Sequence, residues 1–146
     1  YHRAINKPIH YNSKLYEGYM AGGTNALLDG YRGGLTYLDG RWQGYLDDLD
    51  CVIDMEEETD IHKVSIRFMQ LIGPGVFQPG QVELLTSEDG ENFISRGIVP
   101  TTVPADDPDL LFQEYTFDGN WRTRYIRLKA PRANPGFIFA DEIVVW

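Results

Sequence analysis

Apolar and polar side chains alternate with a period of two along much of this chain. The clearest stretch is VSIRFM at 64–69, where Val, Ile and Phe alternate with Ser, Arg and Met. Such alternation is typical of a β-strand that buries one face. The same signal predicts further strands at residues 8–11, 51–53, 81–87, 110–117, 123–130 and 137–146. Helical periodicity is limited to a single turn near residues 24–28.

Turn signals separate these strands. The stretch EDGEN at 88–92 predicts a tight turn. Two proline-rich stretches, at 73–80 and 100–108, cannot continue a central strand and are predicted to be surface connections. Seven or eight short strands joined in this way predict an all-β fold, a jelly-roll β-sandwich.

Length and charge narrow the class of protein. The 146 residues fit a single domain, residues 1–146, with enough chain to bury a core. Because the chain opens at Tyr1 rather than at Met, we expect it to be a domain cut from a longer protein, and we expect the isolated domain to be a monomer. The net charge of −9 disfavours nucleic acid and anionic lipid as partners. No apolar run approaches the roughly 18 residues that a membrane span needs.

Three residue classes carry little functional signal. Eight acidic residues crowd positions 47–60, which predicts a solvated turn and strand rim rather than a metal site. Cys51 is the only cysteine, so no intrachain disulfide is possible, and its apolar neighbours predict a buried structural thiol. The histidines have no metal-ligand spacing and are expected at the surface or at strand edges: His2, His10 and His62.

The chemistry concentrates in two segments that are far apart in the sequence. Two Asp-Gly turns, at Asp29 and Asp39, bracket a glycine-rich loop that leads to Trp42, which is predicted to be a core residue. Asp141 and Glu142 interrupt an otherwise apolar last strand. A sandwich that brings its ends together lets an early carboxylate meet a late one. This arrangement is expected where a β-sandwich clamps a hard cation.

Ordered motifs across nearly the whole chain resemble the discoidin domain, the coagulation factor V/VIII type C module, in a bacterial form that is similar to carbohydrate-binding module family 32. They lie at residues 26–30, 42–45, 52–55, 64–66, 87–93, 124–128 and 141–143. Residues 7–9, 29–34, 39–44 and 68–70 also resemble the domain that follows the catalytic barrel in bacterial family 20 β-N-acetylhexosaminidases, the chitobiases. Animal discoidin domains usually tie their ends with a disulfide. Cys51 alone cannot supply one, which favours a bacterial origin.

The resemblance implies a structural calcium ion between the Asp-Gly loop and the last strand. Its matching side chains are Asp29, Thr36 and Glu142, accompanied by carbonyls around Leu28, Arg32 and Ala140. Calcium takes six to eight oxygen ligands and accepts backbone carbonyls readily. The alternative is that Asp29 only starts a turn and Glu142 only makes a hydrogen bond.

The resemblance also implies a glycan site on loops at one end of the sandwich. The loop before Trp42 offers Tyr31, Arg32, Tyr37 and Arg41, and the 73–80 loop offers Phe77. Tyr37 and Phe77 are expected to flank one shallow site, with polar groups beside them for the sugar hydroxyls. Trp121 is a further aromatic candidate, although a loop aromatic is more often packed down.

These implications define the expected function. The domain is not an enzyme, because no nucleophile motif or cofactor fingerprint is present. It is expected to hold a bacterial β-N-acetylhexosaminidase near glycans that contain GlcNAc, GalNAc or galactose, outside the cytoplasm, with catalysis in another domain of the same chain. The alternative is a structural brace that packs on the catalytic barrel and binds no free glycan. Lipid or protein adhesion, as in animal relatives, is disfavoured by the charge of −9.

Overall fold

A computed structural model describes residues 2–14, 17–21, 23, 26–30, 32–34 and 41–146. Within them the backbone forms seven strands: β1 Ile9–Tyr11, β2 Gln43–Tyr45, β3 Leu49–Gln70, β4 Gln81–Ser87, β5 Ile94–Pro100, β6 Leu111–Ala130 and β7 Ile138–Val145. Two short 3-10 helices span Glu17–Tyr19 and Ala26–Leu28. No helix in this described part is both long enough and apolar enough to cross a membrane.

Two long strands organise the whole fold. β3 and β6 pair antiparallel along most of their length, with shifts of register between Asp54 and Thr59 and again between Ile61 and Lys63. Glu56, within the first shift, has a φ of 72°, which is unusual for a residue other than glycine. The first part of β3 pairs with β1 and the last part pairs with β7. This long antiparallel pair of strands therefore contributes to two layers.

The strand order defines those layers. One layer runs β2-β7-β3-β6 and the other runs β1-β3-β6-β4-β5. Ile53 and Leu128 from the second layer join Ile66 and Tyr115 from the first in one buried cluster. Two antiparallel layers that face each other across a shared core confirm the predicted β-sandwich. Residues 110–117 and 123–130, predicted as two strands, are one continuous strand, β6.

A second, smaller cluster holds β7 from the opposite side. Trp42, Met69, Val76 and Phe139 are buried together there. Trp42 is 1% exposed, which confirms its prediction as a core residue. Its ring fills the space next to Gly33, where a Cβ atom would collide with the indole. Every residue of β7 is buried, so the last strand has packing on both of its faces.

Six of the eight acidic residues at 47–60 are exposed, as predicted for a solvated rim, whereas Asp50 and Asp54 are half-buried. Asp50 accepts two hydrogen bonds from Arg127, at 2.8 and 2.7 Å, and Asp54 accepts two from Arg124, at 2.9 and 3.1 Å. The hydrogen bonds from Arg124 hold the pKa of Asp54 below its ordinary value. These carboxylates serve as cross-strand partners of β6 arginines. Cys51, between them, is fully buried as predicted, and burial raises the pKa of its thiol to about 12.

Candidate functional site

A β-bulge places the two acidic residues of the last strand side by side. Ile66 pairs with Ile143 and Phe68 pairs with Ala140, so Asp141 and Glu142 together oppose the single residue Arg67. A bulge of this kind inserts one extra residue and re-aims the side chains next to it. Both carboxylates are buried, with exposed fractions of 0% and 2%.

Asp141 has a complete set of partners. Its Oδ2 accepts hydrogen bonds from the Gly33 N–H at 3.0 Å and from Arg67 Nε at 3.1 Å and Nη2 at 2.5 Å. Arg67 Nη2 also donates to the Gly33 carbonyl at 2.9 Å. Asp141 and Arg67 together hold Gly33 against the sheet. Asp141 therefore has a structural role. The Arg67 guanidinium neutralises its charge and so stabilises the buried carboxylate.

Glu142 has an incomplete set. Its Oε2 accepts hydrogen bonds from the Gly30 N–H at 2.9 Å and from His2 Nε2 at 2.7 Å. Because the Ala4 N–H donates to His2 Nδ1 at 3.2 Å, the proton of the neutral imidazole lies on Nε2. The other oxygen, Oε1, is buried, and no atom of the described residues lies in hydrogen-bonding geometry with it; a side-chain hydrogen bond with Asp29 is nevertheless among the causes that raise the pKa of Glu142. An unsatisfied buried carboxylate oxygen is costly, so it indicates a place for a ligand.

The expectation that His2 is a surface residue was wrong. Its side chain is 6% exposed, because the Arg3 N–H donates to the Val145 carbonyl at 2.9 Å and draws the start of the chain along the end of β7. Burial lowers the pKa of His2 to about 4. His10 and His62 are exposed, as predicted.

The electrostatics of Glu142 differ from those of Asp141. Burial raises the pKa of Glu142 to about 9; the Gly30 N–H opposes this shift, while the charges of Asp29 and Asp141 add to it. Without a cation, this carboxyl is therefore held in its protonated form at neutral pH. A bound cation would supply the positive charge that arginine supplies to Asp141.

Asp29 and Glu142 line one cavity of about 480 Å³, together with His2, Ile5, Arg32 and Trp146. The structure thus brings together the two carboxylates that were predicted to meet. Thr36 lies outside the described residues. The Leu28 carbonyl accepts the Asn6 N–H at 2.8 Å, so a metal there would share that oxygen.

The donor set at this cavity fits a hard cation. It contains two carboxylates and an unpaired carboxylate oxygen, which suit calcium. Among the residues that the structure describes, no group of three or more His, Cys, Asp or Glu side chains is arranged to hold a metal. A calcium ion here would therefore take further oxygens from backbone carbonyls and water, as calcium readily does.

The predicted sugar-binding residues that the structure describes differ in position and in exposure. Arg32 lines the cavity of Glu142 and donates to Glu114 at 3.3 Å, and Arg41 is exposed immediately before the buried Trp42. Phe77 is half-buried; its N–H donates to the Phe137 carbonyl at 2.9 Å. Tyr31 and Tyr37 lie outside the described residues.

Trp121 is not an open aromatic platform. Its ring is half-buried against the main core and covers Gly119, where a Cβ atom would collide with it. Sequence reasoning missed a different aromatic, Trp146, which is 41% exposed and lines the cavity of Glu142. It also missed Arg67, whose guanidinium lies 5.1 Å from the ring centroids of both Trp42 and Phe112. The alternation at 64–69 signals that Arg67 and the buried Ile66 lie on opposite faces, but not what Arg67 contacts.

Comparison with known proteins gives one kind of match. No family model and no curated protein sequence matches this chain. Solved structures do match, beginning with a chitosan-binding module from a chitosanase/glucanase of Paenibacillus sp. IK-5, at a TM-score of 0.68 and 13% identity. The alignment covers 100% of this chain and 98% of that one.

Two further matches have the same character. A fucose-binding module of Streptococcus pneumoniae matches at a TM-score of 0.69 and 15% identity, over 100% of this chain and 94% of its own. A family 32 module of Clostridium perfringens, solved in complex with GalNAc-β-1,3-galactose, matches at a TM-score of 0.66 and 17% identity. The alignment covers 97% of this chain and 95% of that one. The chain has the fold of a carbohydrate-binding module. The predicted fold resemblance is confirmed at this level.

Proposed function

We propose that this chain is a non-catalytic carbohydrate-binding module. The observation that carries the proposal is the match of the chain, over almost its full length, to modules whose names specify chitosan, fucose or GalNAc-β-1,3-galactose as ligand. The fold presents loops around a rigid sandwich, which is a common way to build a shallow ligand site.

The proposed sugar contacts are Arg32, Arg41 and Phe77, together with Tyr31 and Tyr37. Arg32 and Arg41 flank the loop that ends at Trp42, and they supply hydrogen-bond donors for sugar hydroxyls. An aromatic ring supplies an apolar surface for the face of a pyranose. A shallow site of this kind removes little area from water, so binding to one or two sugar units is expected to be weak.

We propose a structural calcium ion at Asp29 and Glu142, with Thr36 as a further ligand. The support is the unpaired Glu142 Oε1, the shared cavity and the raised pKa of Glu142. A cation there would tie the Asp-Gly turn to the last strand. It would also take the place of the proton that Glu142 holds at neutral pH without a cation.

The parent protein belongs to the same proposal. The resemblance to the accessory domain of chitobiases favours a bacterial β-N-acetylhexosaminidase that acts outside the cytoplasm, with its catalytic domain in the same chain. Some matched modules are named as parts of larger hydrolases, including a family 31 glycoside hydrolase of Clostridium perfringens. Glycans that contain GlcNAc, GalNAc or galactose are the proposed targets.

A glycan array tests the proposal. The chain is displayed multivalently in calcium, so that weak binding rises above the detection threshold. Binding to a GlcNAc, GalNAc or galactose glycan is expected, with loss in Phe77→Ala and in Tyr37→Ala. Phe93→Ala, a half-buried phenylalanine in the turn between β4 and β5, is the matched control and should bind normally. Silence across the array from a folded sample would contradict the proposal and favour a structural brace.

A further inference from the structure

A second cavity, of about 270 Å³, lies beside the turn that joins β4 to β5. All of its lining residues lie within 86–96 or at 122 and 123 of β6, and we call it the Arg96 cleft. It shares no residue with the cavity of Glu142 or with the proposed sugar contacts. β4 begins after the loop of Phe77 and ends before this turn, so the cleft and Phe77 flank opposite ends of that strand.

A β-bulge directs Arg96 into the cleft. Its neighbours Ser95 and Gly97 pair with consecutive residues of β4, so Arg96 is an extra residue in β5. Gly97 has a φ of 139°, which residues with a side chain rarely adopt. Bulges re-aim a side chain and are frequent next to functional sites. Arg96 Nε donates to Oγ1 of Thr86 at 2.9 Å, and Thr86 is 3% exposed. A buried hydroxyl therefore anchors the guanidinium at the cleft.

The turn at 88–92 forms a firm wall on the other side. Asp89 Oδ1 accepts the N–H of Asn92 at 2.8 Å and that of Glu91 at 2.9 Å, and its Oδ2 accepts Asn92 Nδ2 at 2.7 Å. These hydrogen bonds hold the pKa of Asp89 well below its ordinary value. Because the turn is fixed by its own contacts, it presents Glu88 and Asn92 to the cleft in one arrangement.

The cleft contains two opposite charges that are not paired. Arg96 and Glu88 are both exposed and both line it, yet neither makes an ion pair within the described part of the chain. The other two charges that line the cleft are already matched. Arg122 lies 3.1 Å from Asp60, and Asp89 is bonded within its own turn. A donor and an acceptor are therefore left for a ligand.

The apolar surface of the cleft is aliphatic. Ile94 lines the cleft and is 59% exposed, more than any other large hydrophobic residue in the described structure. Phe93 lines it too, but its ring is half-buried and its centroid lies 5.2 Å from the Arg127 guanidinium. Ile94 therefore supplies most of the free apolar surface. A sugar gains less from an aliphatic side chain than from a free aromatic ring, so binding here is expected to be weaker than at Phe77.

We propose that the Arg96 cleft is a second, weaker saccharide site that takes one neutral pyranose unit; this inference rests on the proposed carbohydrate-binding function. One hydroxyl accepts from Arg96, a neighbouring hydroxyl donates to Glu88, and the C–H groups of the ring pack on Ile94. Hydroxyls suit both partners because each can donate and accept. The cavity volume is just below the usual range for ligand pockets, which fits a single unit. Sites at both ends of β4 let one module hold two glycan chains, which raises avidity.

The test follows amide NMR signals of the 146-residue chain. The probes are methyl β-D-galactopyranoside, methyl N-acetyl-β-D-glucosaminide and L-valine. At least one sugar is expected to shift the signals of Glu88, Asn92 and Arg96 with a millimolar Kd. L-Valine carries a carboxylate and an ammonium group that match the two unpaired charges. Tighter binding of L-valine than of either sugar would overturn the proposal, because the cleft would then select a zwitterion. Absence of these shifts with both sugars would also overturn it.

Variants separate the cleft from the rest of the surface. Arg96→Gln and Glu88→Gln are each expected to weaken sugar binding about tenfold, since each removes a hydrogen bond to a charged group. Glu91→Gln is the matched control, because Glu91 is an exposed glutamate of the same turn that does not line the cleft. Unchanged binding in Arg96→Gln, or an equal loss in Glu91→Gln, would overturn the proposal. Phe77→Ala should leave the shifts at the cleft intact, so failure of this site and failure of the array test are distinguishable.

Discussion

The first part of β3 and the bulge of β7 both carry carboxylates, but they differ in whether every carboxylate is paired with an arginine. Along β3, Asp50 and Asp54 are each matched by an arginine of β6. At the bulge, Asp141 is matched by Arg67, whereas its neighbour Glu142 accepts hydrogen bonds, among the described residues, from a neutral histidine and a backbone N–H. A high density of acidic residues therefore does not mark a site. Glu142 differs from the other three because, among the described residues, no arginine or lysine pairs with it and burial raises its pKa.

The largest effect is expected where a balanced charge is buried. Arg67→Met removes the partner of Asp141, which is 0% exposed, and leaves a buried carboxylate without its cation. The free energy of unfolding should fall by about 3 kcal/mol or more, as is usual when one partner of a buried pair is lost. Urea denaturation measures it. A loss below about 1 kcal/mol would show that water or the loop replaces the guanidinium.

The next largest effect concerns Glu142 and the proposed calcium ion. Calcium should raise the melting temperature of the chain relative to EDTA, because a ligand present at 100 times its Kd stabilises the folded state by about 2.7 kcal/mol. Glu142→Gln should abolish the increase, since the amide cannot neutralise the ion. Calorimetry measures both. Asp107→Asn, a change in the 100–108 loop, is the control and should keep the increase.

A smaller effect should appear in the pH dependence of the β3 pairs. The pKa of Asp54 is held below its ordinary value of 3.8 by hydrogen bonds from Arg124. The unfolded state therefore takes up a proton first as the pH falls. The stability from this pair is present above pH 3.8 and is lost below it. Asp54→Asn should cost less than about 1 kcal/mol at pH 7, because the pair is partly exposed. A cost of Asp54→Asn that does not fall as the pH is lowered below 3.8 would contradict this origin.

The smallest effect is expected for the exposed ion pair between Arg122 of β6 and Asp60 of β3. Arg122 is 60% exposed and its partner Asp60 is 64% exposed. Exposed pairs of this kind contribute little, so Arg122→Gln should change the free energy of unfolding by less than Asp54→Asn does. Parallel urea titrations of Arg122→Gln and Asp54→Asn rank the two pairs. A larger loss of stability in Arg122→Gln than in Asp54→Asn would contradict this ranking.

The sequence predicted the β-sandwich and the positions of its strands better than where each strand ends. The alternation of apolar and polar residues located β4 at residues 81–87, as observed. It does so because a strand that buries one face needs an apolar side chain at every second position. It divided β6 in two, because Asp118, Gly119 and Asn120 resemble a turn, whereas they lie within β6 and Asp118 pairs with Lys63 of β3. Local patterns cannot show pairing with a distant strand.

The candidate site shows the same limit. The meeting of Asp29 and Glu142 was predictable from a carboxylate in an apolar last strand and from the family resemblance. The contact between His2 and Glu142 was not, because it joins residues 140 positions apart and leaves no periodic signal. The bulge was equally hidden. Asp141 and Glu142 look equivalent in the sequence, and only the register with β3 gives them different partners.

The central position of β7 constrains how the protein is made. β7 is inserted between β2 and β3, and it is the last strand to leave the ribosome. Until then β2 has no neighbour in its layer, and the inner edge of β3 stays unpaired. Folding of this domain therefore waits for β7 to be translated, and until then the nascent chain exposes two strand edges that are prone to pair with other chains.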